Sequence, residues 1–572
     1  MTRRSENRLP LARMLAAAAF LVLLIAAVHR GSPRTLVSAH GLLHSAIAQR
    51  ISADPLSIPP ENPFFAGEPI RYYWFFHAAG AAVGRLLRLD PLHSFELLIA
   101  AGAVAMVLFT TGLARSLYGR ATAGFAIGYL VLAGAQAQAP LLLAWRVIRN
   151  GTGLLADDPE YLWGLVHPVY RHMRLWDEYG TLGPLINYFF NVTARPLALV
   201  TLLGVIWALH RVLTRGAAGP TLILAAGVAL LSSLNCLIGI GSAGALGVGL
   251  VTSEFLRRRM EHGTAAADPA PCLKPALAAL GAGLLLGAPT FWQLLTANGP
   301  GFAIQGPGAA FDQLRGMAAA AWLPLILSLV ALYAMRSPAR FLGVTLTLAA
   351  LILMGAATLL LLPVGNQDNF YHAALVMLAV PAAAVVLKPD GRVDRARAGA
   401  LFLVFLPPAL LVVWAYTGRP PIAIGNRQDR LVRLPADSDP GRLYGWIAAS
   451  TPGNAVMIID PGPPTRAVAG NTAELPALTG RVLFTERASH YIVSGYEDAG
   501  RRERMSRQLV AGEAIAAADE RYLSGLGRDL FVVVERSSAQ VGAALQARYG
   551  PPAFESGAHA VYRWRAGGAT VP

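Results

Sequence analysis

Charge is scarce in this chain. Asp, Glu, Lys and Arg make up 14% of its 572 residues, where a soluble domain carries about 25%. The shortfall excludes an ordinary soluble protein, because apolar residues take the space. They are 55% of the chain, and runs of roughly 20 of them recur. Lysine is nearly missing: only Lys274 and Lys388 occur, so the net charge of +15 is almost all arginine. On a soluble protein such an excess suggests nucleic acid. Here much of the arginine sits in short segments between apolar runs, where it reads as membrane topology, and no nucleic-acid partner is expected. Cysteine is reduced to Cys236 and Cys272, in or beside apolar segments. They form no metal-ligand spacing, and no disulfide is expected of them. No GxGxxG, and no GxxxxGK followed by Ser or Thr, stands after any strand-like run, so nucleotide binding has no support.

What is present is a multi-pass membrane pattern. The opening "MTRRSENRLPLARMLAAAAFLVLLIAAVHR" is a basic flank and then an apolar run. It reads as a retained first helix with a cytoplasmic N-terminus. Later apolar runs lie near 97–114, 121–141, 196–212, 219–236, 238–255, 273–292, 318–335, 341–362, 371–387 and 399–416, which makes about eleven spans. "RSLYGR" (115–120), "HRVLTRG" (210–216), "RRRMEH" (257–262), "RSPAR" (336–340) and "KPDGRVDRARAG" (388–399) fall on alternate connections, on the side of the N-terminus. That is the positive-inside rule. The expected fold class is mostly α: a polytopic transmembrane bundle over 1–417 in a bacterial inner membrane, and a small periplasmic α/β domain over 418–572. In that tail "AVMIID" (455–460), "RVLFTE" (481–486), "LFVVVE" (530–535) and "AVYRWR" (560–565) read as strands, and 500–526 reads as helical.

The periplasmic side receives the elaborate connections: 29–96, 142–195, 296–316 and 363–372. In the first of them, "GLLHSAIAQRI" (41–51) puts Leu42, Leu43, Ile47 and Ile51 near one face, with His44, Gln49 and Arg50 elsewhere. That predicts an amphipathic helix along the membrane surface. A Pro-rich crossing, "PLSIPPENPFFAGEP", follows. A second amphipathic helix starts within "IRYYWFFHAAGAAVGRLLRL" (70–89), whose aromatics suit the water–lipid boundary.

These residues carry a resemblance. A loop with two juxtamembrane helices after the first span resembles the GT-C superfamily of membrane glycosyltransferases. "PPENPFFAGEPIRYYWFFH" (59–77) is similar to the segment that names the archaeal and bacterial "YYY" membrane proteins of that superfamily. The resemblance implies a polytopic bundle that moves a sugar from a polyprenyl-phosphate-linked donor, with inversion, to a glycan, lipid or protein acceptor at the outer face. Its partners would then be membrane lipid, donor and acceptor. Family members usually carry an Asp early in this loop as catalytic base; here that position reads "SAHGLLH", with His40 in place of an acid. The chemistry still needs a base near the acceptor hydroxyl, or a carboxylate holding a divalent cation such as Mg or Mn beside the phosphate. The candidates are Glu61, fixed by the Pro-rich turn, then Glu68 and His40. His44, Arg71, Tyr72, Tyr73 and His77 of the same loop are expected to line the substrate site. Each has a plainer alternative as a turn cap, a headgroup contact or a wall.

Two further stretches bear on binding. In 155–199, clustered acids, histidines, Trp163 and Trp176 form either a sugar-facing surface or a loop held by its own ion pairs. Arg195 opens a span at the outer boundary, where paired N–H donors suit a lipid phosphate; snorkelling is the plain alternative. "PVGNQDNFYH" (363–372) puts Asn366, Gln367, Asp368, Tyr371 and His372 at the mouth of two spans, a functional-site pattern. Two other function classes compete. A transporter needs mid-membrane ionisable residues or a repeat between halves, and neither is evident. A non-catalytic relative that binds a lipid-linked glycan is compatible with the missing Asp.

Overall fold

The apolar runs are helical, as their hydropathy and length dictate. In the computed structural model, residues 11–31, 39–155, 183–261, 271–296, 303–362, 366–417, 436–462, 474–490, 492–535 and 539–566 are described. Among them, nine helices are long and apolar enough to cross a membrane, from Leu11–Arg30 to Arg395–Trp414. Two further runs of the eleven expected form shorter helices, Ala123–Ala133 and Ala218–Leu234. The first run is cut at Gly134, after which Gln136 turns the chain with φ +53° and donates its N–H to the Ala320 carbonyl at 2.9 Å. The second ends at Asn235, whose extended backbone separates it from Cys236–Glu261.

The chain divides into two units. The first is Met1–Leu36, Glu96–Pro289 and Phe302–Ile422. Its helices alternate in direction, so the arginine-rich connections share one end. The other end holds the starts of Arg195–Arg215, Cys236–Glu261, Pro307–Ala334 and Asp368–Ala382. A short antiparallel ladder joins β1 (Ala303–Ile304) to β2 (Leu360–Leu361) at that end. The helix at Asp368–Val386 is the centre of the bundle: 94% of its apolar window is buried, against 17% for Leu11–Arg30.

The second unit is Val37–Phe95, Thr290–Gly301 and Ala423–Pro572. Its sheet contains β3 (Val456–Ile458), β4 (Val482–Leu483), β5 (Leu530–Glu535), β6 (Phe554–Glu555) and β7 (His559–Arg563), in the order β4-β3-β5-β7-β6. β3 runs parallel to both β4 and β5, while β7 is antiparallel to β5 and β6. Four of these strands lie in the runs read as strands. The helical stretch 500–526 is two helices, Ala499–Val510 and Ala517–Gly525, parted at Gly512, which needs φ +77°.

The grouping differs from the sequence reading in one respect: the first loop belongs with the C-terminal α/β fold and not with the bundle. Residues 60–70 form a hairpin, with Asn62 N–H donating to the Glu68 carbonyl and Ile70 N–H to the Pro60 carbonyl, both at 2.8 Å. Its tip lies along β4. Ala66 N–H donates to the Leu483 carbonyl (2.9 Å), Leu483 N–H to Pro63 (2.8 Å) and Glu486 N–H to Phe64 (2.9 Å). The loop thus covers an edge that would otherwise present unpaired backbone. Phe64 and Phe65 are buried in one core with Leu42, Leu43, Ile47, Ile447, Met457 and Leu483. Each such side chain stabilises by roughly 1.5–3 kcal/mol when fully buried. The helix expected to lie on the membrane, Ala39–Ala53, is therefore an internal element of this unit: residues 41–48 are buried throughout.

Candidate functional site

In the second unit the hairpin explains Glu61. The carboxylate is 8% exposed. Oε1 accepts from Gly67 N–H at 2.7 Å and from the Arg528 guanidinium at 2.5 Å, and Oε2 is 2.7 Å from Arg50 Nη2. Gly67 supplies the left-handed φ of +83° that the turn requires. Two guanidiniums and a backbone N–H hold Glu61 as the joint between loop and tail. Neighbouring side chains do similar work. Asn62 Nδ2 donates to the Ile492 carbonyl (2.9 Å), and the Arg502 guanidinium lies 3.8 Å over the Phe65 ring while donating to the Ala66 carbonyl (2.7 Å). Glu68 is half-buried, and its charge opposes ionisation of Tyr496, which burial already pushes up. His40 lies in the Ala39–Ala53 helix, and its side chain is outside the described residues.

The other loop residues expected at the site form a second group. Arg71 donates to the Gly495 carbonyl and lies 4.2 Å over the Tyr496 ring. Tyr72 and Tyr73 stack at 4.1 Å, with their hydroxyls 2.8 Å apart. His44 Nδ1 and His77 Nε2 are 2.7 Å apart between two helices, ringed by Phe76 and Phe95. His77, outside the nine long spans, is fully buried, and burial pushes it down to about 3. Folded His77 therefore stays neutral where the unfolded chain takes up a proton. Stability is complete above about pH 6.5 and falls as pH drops toward 3, on the order of 1 kcal/mol per pH unit. Thermal unfolding of the purified protein between pH 7 and 4 should show this slope, and His77→Gln should flatten it. Equal slopes in both proteins would contradict the assignment.

The first unit brings together the remaining candidates. Asp368–Ala382 starts with a turn of polar residues buried in the bundle: Asp368, Asn369 and His372 are 5%, 2% and 0% exposed. Gln313 Nε2 donates to Asp368 Oδ1 at 3.4 Å, and Gln367 Oε1 accepts from Leu362 N–H at 3.4 Å. Asn369 receives a bond from Asn235 Nδ2 (3.1 Å) and donates to the Asn366 carbonyl (2.8 Å). Asn235 also caps Cys236–Glu261 through Ile238 N–H (3.1 Å). Tyr371 is fully buried beside His372. Tyr188 Oη is 2.9 Å from His372 Nε2, and the half-buried Arg195 guanidinium lies 4.9 Å over the Tyr188 ring. Arg195, Asn366, Gln367, Asp368, Tyr371 and His372 thus stand with Tyr188, Asn235 and Gln313 at the end opposite the arginine-rich connections. Tyr188 and Asn235 were not singled out from sequence, because a Tyr in "LINYFFN" and an Asn in "SSLNCLIG" have no periodic signal. Most of the acids and histidines expected between 155 and 178, with Trp163 and Trp176, lie outside the described residues.

Among the described residues, no three His, Cys, Asp or Glu side chains gather to hold a metal ion, so no step below is routed through a cation. Polar side chains buried at one end of a bundle, with an arginine over an aromatic ring, suit an anionic headgroup whose tail lies among the helices.

The model of a family described as uncharacterized membrane protein (DUF2298) matches residues 7–163, which include the stretch His40–His77. No curated protein matches the chain in sequence. Among solved structures, ArnT from Cupriavidus metallidurans bound to undecaprenyl phosphate is similar at 12% identity and a TM-score of 0.52. That match covers 98% of this chain and 99% of ArnT. Arabinofuranosyltransferase AftD from Mycobacteria, in a mutant form, is similar at 17% identity and a TM-score of 0.51 over 97% of this chain and 42% of its own. At such identities the likeness is one of fold. It extends over nearly the whole chain, and the fold is that of the GT-C membrane glycosyltransferases.

Proposed function

We propose that the protein transfers a sugar from a polyprenyl-phosphate-linked donor to a glycan, lipid or protein acceptor at the periplasmic face of a bacterial inner membrane. The observation that carries this is the buried polar cluster of the first unit, capped by Arg195. In support, ArnT, whose fold this chain shares, is described as bound to undecaprenyl phosphate. Arg195 takes the donor phosphate through paired N–H donors, while Tyr188, His372, Asn369 and Asp368 give the headgroup and sugar hydrogen-bonding partners. The acceptor oxygen attacks the anomeric carbon, its proton passes to a base, and the bond from that carbon to the phosphate oxygen breaks. The electron pair leaves with the phosphate, which the arginine stabilises. A single displacement inverts the anomeric centre. Of the three groups expected as base, Glu61 is the least suited, because two guanidiniums favour its charged form and occupy its oxygens.

The test is transfer by purified protein in proteoliposomes, with a panel of radiolabelled sugars on undecaprenyl phosphate. At least one donor should release undecaprenyl phosphate in step with sugar transferred. Glu61→Gln, Glu68→Gln and His40→Ala are compared in the same assay. Lipid binding by the wild type without transfer from any donor would make the protein a non-catalytic lipid-glycan binder.

A further inference from the structure

His29 closes the first span, in the last turn of Leu11–Gly31, and is 2% exposed. Its Nδ1 is 3.2 Å from Oε1 of Glu96, in the second turn of Pro91–Tyr118. Both belong to the first unit. A carboxylate oxygen only accepts, so Nδ1 carries the proton and the lone pair remains on Nε2. Nε2 is buried and has no hydrogen-bond donor. Burying an acceptor without a partner costs about 1–3 kcal/mol. A tie between the two helices needs the Nδ1 bond alone and gives no reason for that cost.

Position supplies a reason. Leu21 and Ile25 stand eight and four residues before His29, on the same helix face. Ala103 follows Glu96 by seven residues, again on one face. Leu21, Ile25 and Ala103 line a small apolar cavity together with Met106, Ile186 and Phe189. Ile186 and Phe189 flank Tyr188, which joins His372 and lies under Arg195. The His29–Glu96 pair therefore sits about one to two helical turns beyond a cavity whose far wall carries the residues assigned above to the phosphate.

We propose that His29 is the general base of the transfer and that Glu96 positions it. This rests on the glycosyl transfer proposed above. The acceptor hydroxyl gives its proton to Nε2 as its oxygen bonds the anomeric carbon. The carbon–oxygen bond to the phosphate breaks, and its electron pair leaves with the phosphate on Arg195. The imidazolium that forms is held by the Glu96 carboxylate through Nδ1–H and later returns its proton to solvent. Glu96 acts through His29 and is a positioning residue. The first span thereby supplies a base that the loop sequence does not show.

The experiment uses the full-length protein in proteoliposomes with the radiolabelled donor that the wild type accepts. His29→Gln should lower kcat about 100-fold or more, with donor KM within about threefold and an unchanged Tm. His29→Ala should recover part of that loss on addition of imidazole, which a structural role would not allow. Glu96→Gln should lower kcat about tenfold. Wild-type kcat in His29→Gln would overturn the proposal while leaving the transferase assignment intact. So would a kcat loss that tracks a fall in Tm and that imidazole leaves uncorrected. Absence of transfer by the wild type from every donor would overturn both.

Discussion

Glu61→Ala is expected to destabilise the α/β unit by about 3–5 kcal/mol, the cost of removing one partner from a buried ion pair and leaving the other charge behind. Arg50 and Arg528 would then face each other across the site with no carboxylate between them. Arg50 is 7% exposed and bears most of that penalty. Glu61→Gln keeps an acceptor for Gly67 N–H but not the charge, so its loss should be smaller. Denaturant unfolding of the purified protein checks this, with turnover measured on the folded fraction. If Glu61 is a joint, stability falls while the folded fraction keeps its activity. If Glu61→Gln leaves stability unchanged and abolishes turnover, the carboxylate is the base and the structural assignment is wrong.

The second large effect is on lipid binding. Arg195→Ala should weaken undecaprenyl phosphate binding about 10- to 100-fold, the equivalent of roughly 1.5–3 kcal/mol for charge-assisted hydrogen bonds. Arg195→Lys keeps the charge but loses the planar pair of donors and the stacking on Tyr188, so an intermediate loss of about fivefold is expected. Native mass spectrometry of the protein in nanodiscs doped with the lipid gives both values. An unchanged affinity in Arg195→Ala would remove the phosphate from this end of the bundle.

The spans were legible in the sequence because length and hydropathy are local properties. The runs at 121–141 and 219–236 came out shorter because Gly134, Gln136 and Asn235 interrupt them, and single residues of that kind weigh little in an apolar average. Strands β3, β5 and β7 were legible for a similar reason: "AVMIID", "LFVVVE" and "AVYRWR" are β-branched and aromatic runs between turn residues. The role of "PPENPFFAGEP" was not legible. Its partners Leu483, Glu486, Ile492, Arg502 and Arg528 lie more than 400 residues away, and periodicity carries no information about such pairings. The same limit hid His29 and Glu96. Each looks like an ordinary span boundary, and only packing of the first helix against the next makes them a pair. The cluster at 366–372 was visible because its polar residues are consecutive between two strong spans.

The most direct test of the central assignment is a cryo-EM map of the protein in nanodiscs containing undecaprenyl phosphate. The phosphate is predicted within hydrogen-bonding distance of the Arg195 guanidinium, beside Tyr188 and His372, with the isoprenoid chain running between helices of the first unit. Phosphate density at the end that carries Arg257, Arg258 and Arg397, with none at Arg195, would contradict it.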